Sequence, residues 1–171
     1  MATRGADVER DVMASRSRGR QLAVQIIYQK MFSGYELERV LELFWRGIKA
    51  DEPTREFSRK LVEGVLKNEQ QLDLEISAYL KNWSLDRIAV VDRIILQIAF
   101  YEFIYVDPIP WKVVIDEAVM LAKLFCNDKS ANFINGVLHS WATKNISGGA
   151  EAETKTVTVR ANDSSQETSE T

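Results

Sequence analysis

The stretch PWKVVIDEAVMLAKLFCNDKSANFINGVLH, Pro110 to His139, decides the fold class. Val114, Ala118, Leu121, Ala122 and Phe125 recur at the spacing of one helical face, and Pro110 suits the first helical position, where its missing N–H costs nothing. Phe133, Ile134, Val137, Leu138 and Trp141 make the stripe of a second helix, with Asn127 or Asp128 as its N-cap. Between the two lies a short polar turn. Packing accounts for the apolar positions but not for Lys112, Glu117, Lys123, Ser130, Asn135 and Gly136, which set specific polar or small residues among them.

Upstream of this hairpin nearly every segment keeps the helical period. Leu22, Ala23, Ile26, Ile27 and Met31 form one stripe that stops near Ser33-Gly34, and Leu37, Val40, Leu41, Phe44 and Ile48 form the next. Phe57, Leu61 and Val65 begin a third; Leu72, Ile76, Tyr79 and Leu80 follow. After Ser84, a plausible N-cap, residues 85–105 are apolar on most sides, which suits the centre of a bundle. Short connections favour antiparallel neighbours, so the reading is an all-α helical bundle of about six to seven helices. Residues 1–15 are polar, without sustained apolar periodicity, and read as a flexible N-terminal arm. Residues 16–145 carry the helical domain. Residues 146–171 are rich in Ser, Thr and acids, with net charge −3, and cannot bury enough apolar surface to offset their ordering entropy, so they read as a disordered acidic tail.

Composition excludes several classes of function. A 46% hydrophobic content supports a true core, yet no apolar run approaches the span of a membrane and the N-terminus has no signal-peptide segment, so a cytoplasmic protein without a membrane contact is expected. The lone Cys126 allows no internal disulfide, and with the single His139 it cannot make a zinc site of the usual kind. His139 reads as a helix-surface residue. Asp116 and Glu117 are neighbours on a helix and diverge, and there is no glycine-rich phosphate loop; neither catalysis nor a cofactor is expected.

A net charge of −3 gives the whole molecule no attraction for nucleic acid, so any such binding must be local. Between Asp11 and Glu36 there is no carboxylate, and this window holds Arg16, Arg18, Arg20 and Lys30. The planar guanidinium offers paired donors to phosphate and stays charged. The same run could also be an ordinary solvated N-terminus. Three arginines on phosphates of single-stranded RNA imply a log–log salt slope of about −2, hence roughly twentyfold weaker binding between about 50 and 200 mM salt.

The polar pattern of the hairpin, with Pro110-x-Lys112-Val113, Glu117-Ala118-Val119, Leu121-Ala122-Lys123 and Phe133-Ile134-Asn135-Gly136-Val137-Leu138, resembles the NusB family of bacterial transcription antitermination factors. The likeness continues through Asp92-Arg93-Ile94-Ile95-Leu96-Gln97-Ile98-Ala99-Phe100-Tyr101-Glu102 and back to Arg20–Tyr28, about 130 residues in all. It implies two packed helical subdomains and an RNA-binding role: pairing with the small-subunit ribosomal protein NusE to recognise boxA RNA in nascent rRNA transcripts, in support of RNA polymerase and other Nus factors. Homodimers also occur in the family.

By the same resemblance Arg16, Arg18 and Arg20 match an RNA-contacting arginine stretch, Tyr28 and Phe133 match aromatic positions near the RNA, and Asp92 matches an acid there. Lys129 stands in the turn where the family often has an acid, and Cys126 where it often has glycine. Ser17 and Gly19 interrupt the arginine run. From the stripes alone, Phe133 also reads as core, and Asp92 as a partner of Arg93 or Lys112, or a helix-margin residue in water. Phe103 and Tyr105 are candidates for an exposed partner-binding face. The alternative function is a helical protein–protein adaptor without specific RNA recognition.

Overall fold

The computed structural model describes residues 3–106 and 108–146, so the expected acidic tail lies outside the described residues. Seven α-helices are present among them: α1 Thr3–Ser33, α2 Leu37–Gly47, α3 Glu52–Lys67, α4 Glu69–Ser77, α5 Val90–Tyr105, α6 Trp111–Phe125 and α7 Asp128–Ile146. A single 3-10 turn, Leu85–Arg87, precedes α5. The fold is all-α.

Local chemistry sets the helix limits. Gly34 takes φ +70°, a left-handed conformation open to glycine, and ends α1. Asp51 caps α3 by accepting from the Thr54 N–H at 3.0 Å, with Pro53 in the first turn. Asn127 caps α7, its Oδ1 accepting from the Ser130 N–H at 2.9 Å. Two boundaries differ from the sequence reading. Pro110 stands one place before α6, its carbonyl accepting from the Val113 and Val114 N–H groups. Ser84 makes no side-chain cap and leads into the 3-10 turn, so the α-helix begins only at Val90.

Residues 3–14 of the polar segment before Ser15 are also helical. They continue α1 outward from the body, and residues 4–14 are exposed. Once residues beyond it are docked, each added helical residue needs no new nucleus, and an Asp7–Arg10 pair lies on this turn.

α5 is the shared wall of the bundle. Its side chains from Asp92 to Phe103 are buried, Arg93 apart. One sub-bundle packs α1 on α3, with α2 against α1; the other packs α6 on α7; α5 touches α1, α3, α4, α6 and α7. Phe100 is fully buried among the rings of Tyr79, Phe103 and Trp141, and Phe103 stacks on Trp141 with centroids 4.4 Å apart. Phe103 is therefore core and cannot serve as an exposed partner contact; Tyr105, stacked on Tyr101, is exposed.

Two glycines let helices approach. A Cβ on Gly64 of α3 would fall 2.0 Å from the Tyr101 ring of α5, and one on Gly19 of α1 would fall 2.9 Å from Phe57 of α3. Gly64→Ala should therefore cost about 1–3 kcal/mol through overpacking. Gly136→Ala on α7, where a Cβ meets nothing within 4 Å, should stabilise by about 0.5–1 kcal/mol through helix propensity. Urea denaturation of the two variants checks both signs.

Candidate nucleic-acid interface

The basic run enters the body on α1, where the helical period puts Arg16 and Arg20 on one face, both over the Phe57 ring, and Arg18 on the opposite one. Arg20 is 2% exposed. Its guanidinium donates to Glu102 of α5 through Nε at 3.0 Å and Nη2 at 2.7 Å, and Nη1 lies 3.6 Å from Glu117 of α6. Burial, the largest influence, pushes the Glu102 carboxyl above its usual range, while the Arg20 hydrogen bonds and charge oppose it. Ser17 closes the knot by donating its hydroxyl to Glu117 at 2.5 Å. Arg20, expected among the RNA contacts, is thus an interior residue here: its donors are committed to Glu102 and Glu117, and it works as an anchor.

Arg16 and Arg18 are exposed. Arg16 lies over the Phe57 ring at 5.4 Å, and Arg20 approaches the same ring at 5.3 Å. Arg18 donates to Gln21 at 3.1 Å and keeps other N–H groups for a ligand. The interruptions in the run have structural uses: Ser17 bonds Glu117, and Gly19 admits Phe57 and the α3 backbone. The buried acids were not singled out as partners of Arg20; the signal was a lone glutamate in each of two apolar helices.

A second cluster forms where α5 begins and α6 turns into α7. Asp92 is 7% exposed, and its Oδ2 accepts from the Ser130 hydroxyl at 3.0 Å. Its Oδ1 is buried without a donor. Neither Arg93 nor Lys112 is its partner: Arg93 pairs with Asp73 and Glu69, and Lys112 lies over the Trp111 ring. Asp92 is not at the helix margin in water either; from inside, it braces the turn that presents Lys129. Lys129 is exposed in the first turn of α7. Cys126 sits beside the same carboxylate, and burial, followed by Asp92, pushes its thiol up to about 11.

The aromatic candidates divide. Phe133 is half-buried and packs against the core, in keeping with its stripe. Tyr28 is 44% exposed, and its ring lies 4.8 Å from that of Phe32, itself 64% exposed. Phe32 is missed in the sequence reading, which ends the first stripe at Met31 and gives the next residue no part. The Arg20–Glu102 knot and the Asp92–Ser130 brace stand ten residues apart on α5, about 15 Å of helix. Among the described residues no cluster of His, Cys, Asp and Glu could hold a metal ion, and no helix is long and apolar enough to cross a membrane.

The arrangement is similar to known proteins over most of its length. Residues 17–143 match the NusB family. The transcription antitermination protein NusB of Bacillus velezensis is 44% identical over 128 residues, 75% of this chain and 95% of that one. T. maritima NusB superposes with a TM-score of 0.68 at 35% identity, covering 75% of this chain and 91% of that chain. A crystal structure of antitermination factors NusB and NusE in complex with dsRNA contains a chain similar to this one at 25% identity, with a TM-score of 0.66 and coverage of 75% and 96%.

Two outcomes test the site geometry. Arg20→Ala leaves buried carboxylates unpaired and should cost about 3–5 kcal/mol of stability, whereas Arg18→Ala on the surface should cost little; thermal unfolding separates them. A thiol raised to about 11 is almost wholly protonated near neutrality. Alkylation of Cys126 by iodoacetamide at mildly alkaline pH should therefore run roughly tenfold or more below that of the unfolded chain, and Asp92→Asn should speed it.

Proposed function

We propose that this chain, which belongs to the NusB family of antitermination proteins, binds boxA-type single-stranded RNA in nascent rRNA transcripts together with ribosomal protein NusE. In this reading the pair helps RNA polymerase and its other Nus factors read through terminators, in the cytoplasm, by binding alone and with no bond made or broken. The observation that carries it is the exposed side of α1. Arg18 stands there, and Arg16, one turn before Arg20, is exposed where α1 leaves the body; both lie on a stretch with no carboxylate between Asp11 and Glu36, although the chain as a whole is acidic.

Each residue has a stated part in this reading. Arg16 and Arg18 take phosphates, for which the guanidinium fork is suited. Tyr28 offers a ring face to a base, and the half-buried Phe133 lies one turn beyond Lys129 on α7. Lys129 adds a further cation at the turn that Asp92 and Ser130 hold in place. Asp92 is a positioning residue here, since its carboxylate is closed off from solvent. The NusB–NusE complex with dsRNA supports both partners by analogy with a related chain.

With Arg20 withdrawn into the body, two arginines remain to neutralise phosphate. On single-stranded RNA they imply a log–log salt slope of about −1.4, or roughly sevenfold weaker binding from about 50 to 200 mM salt. So small an electrostatic contribution leaves specificity to base contacts and to the ribosomal partner. It is also the observation that favours the second reading, a protein adaptor without RNA recognition.

Replacing Arg16 and Arg18 together by Ala should weaken binding of a boxA RNA oligonucleotide and flatten the salt slope by about 1.4, with helicity by circular dichroism unchanged. Measuring the same binding with and without NusE decides between the readings. An adaptor adds no RNA affinity to that of NusE alone, and a double variant as tight as the wild type removes the arginines from the interface.

A further inference from the structure

Phe32 is the most exposed aromatic side chain on α1, and the helix geometry places it in line with the basic entrance. Arg18, Gln21, Gln25, Tyr28 and Phe32 follow one another at intervals of three, four, three and four residues. That spacing puts all five on one face of the helix, about 21 Å long from first to last. It is the face turned away from the core: Leu22, Ala23, Ile26 and Ile27 occupy the opposite side and are buried, while Arg18, Tyr28 and Phe32 are exposed and the two glutamines half-buried.

The order of chemistry along this face is that of a single-stranded nucleic acid site. Arg18 supplies charge at one end. Its contact with the Gln21 Oε1 leaves the Gln21 amide N–H groups free to face a base edge. At the other end the Tyr28 and Phe32 rings stand 4.8 Å apart at 45°, presenting two differently inclined π-faces. No acid interrupts the stretch, so a phosphate backbone running along it meets no repulsion from α1 itself. A protein partner would find an aromatic patch and an interface-type arginine here too, but a polyanionic strand draws on the acid-free face along its whole length.

The geometry points to Phe32 as a base-stacking residue that extends the RNA path beyond Tyr28, so that the exposed face of α1 is one continuous track for single-stranded RNA. This rests on the RNA-binding reading above and adds a subsite to it. Phe32 carries no charge, so its contribution is separable from that of the arginines: it changes affinity without changing the salt slope.

The test uses the full chain and a fluorescein-labelled single-stranded boxA RNA oligonucleotide, with and without NusE. Phe32→Ala should weaken RNA binding by about tenfold, the loss of one stacked base, at an unchanged salt slope and unchanged circular dichroism. Phe32→Trp should restore the affinity, and its indole emission should be quenched on adding RNA. Wild-type affinity in Phe32→Ala overturns the inference. So does a variant that keeps its RNA affinity but binds NusE more weakly in the absence of RNA, because the ring is then a protein contact. If Arg16→Ala with Arg18→Ala weakens binding while Phe32→Ala does not, the subsite alone fails; if neither does, the RNA-binding reading fails with it.

Discussion

The placement of α1 depends on one buried ion pair. Arg20 reaches Glu102 with both Nε and Nη2 and brings Nη1 toward Glu117, while Ser17 holds Glu117 from the other side. Burying these charges is costly, and the return comes only when donors and acceptors meet in good geometry. That requirement is directional in a way that apolar packing is not. A rotation of α1 by one residue, about 100°, would turn part of its buried Leu22–Ile26 stripe toward solvent and would also part the Arg20 guanidinium from its carboxylates. Together with the apolar stripe the knot fixes which side of α1 faces out, and so turns Arg18 to solvent while it holds Arg20 in.

From that orientation the rest of the surface follows. Residues two apart on a helix point about 200° apart, so Arg18 must face outward if Arg20 faces in. Tyr28 and Phe32 share the outward side with Arg18, whereas Leu22 and Ile26 seal the core. At the far end of α5 a second polar contact, Ser130 on Asp92, holds the α6–α7 turn and presents Lys129. Two buried acids about 15 Å apart along one apolar helix thus hold the segments that present these cations and rings. α5 can do this because it is walled by neighbours on nearly every side, with Phe100 and Phe103 locked among Tyr79 and Trp141.

The helical stripes were legible because burial in a bundle demands a 3.6-residue period, and the core residues of α2, α3, α6 and α7 lie where that period puts them. Boundaries were less legible. Pro110 and Ser84 are good helix starters in isolation, but hydrogen bonding of the following N–H groups, which depends on the path of the incoming chain, set the starts of α6 and α5 instead. The N-terminal extension of α1 was read as an arm because it lacks an apolar face, yet a helix already nucleated by docking can continue through polar residues.

Charge was the least legible quantity. Arginines at positions 16, 18 and 20 look alike in a linear chain, and only the acids that α5 and α6 bring to α1 distinguish the anchor from the two that stay exposed. Asp92, Ser130 and Cys126 come from three segments and meet only when the hairpin folds onto α5. By itself, the order of residues determined the helical architecture, its core and the acid-free basic stretch, because periodicity and composition are local properties of the chain. Tertiary structure alone decided which polar groups were consumed in the interior and which were left for a ligand, because a side chain's partner is set by distance in space between segments that the linear order holds apart.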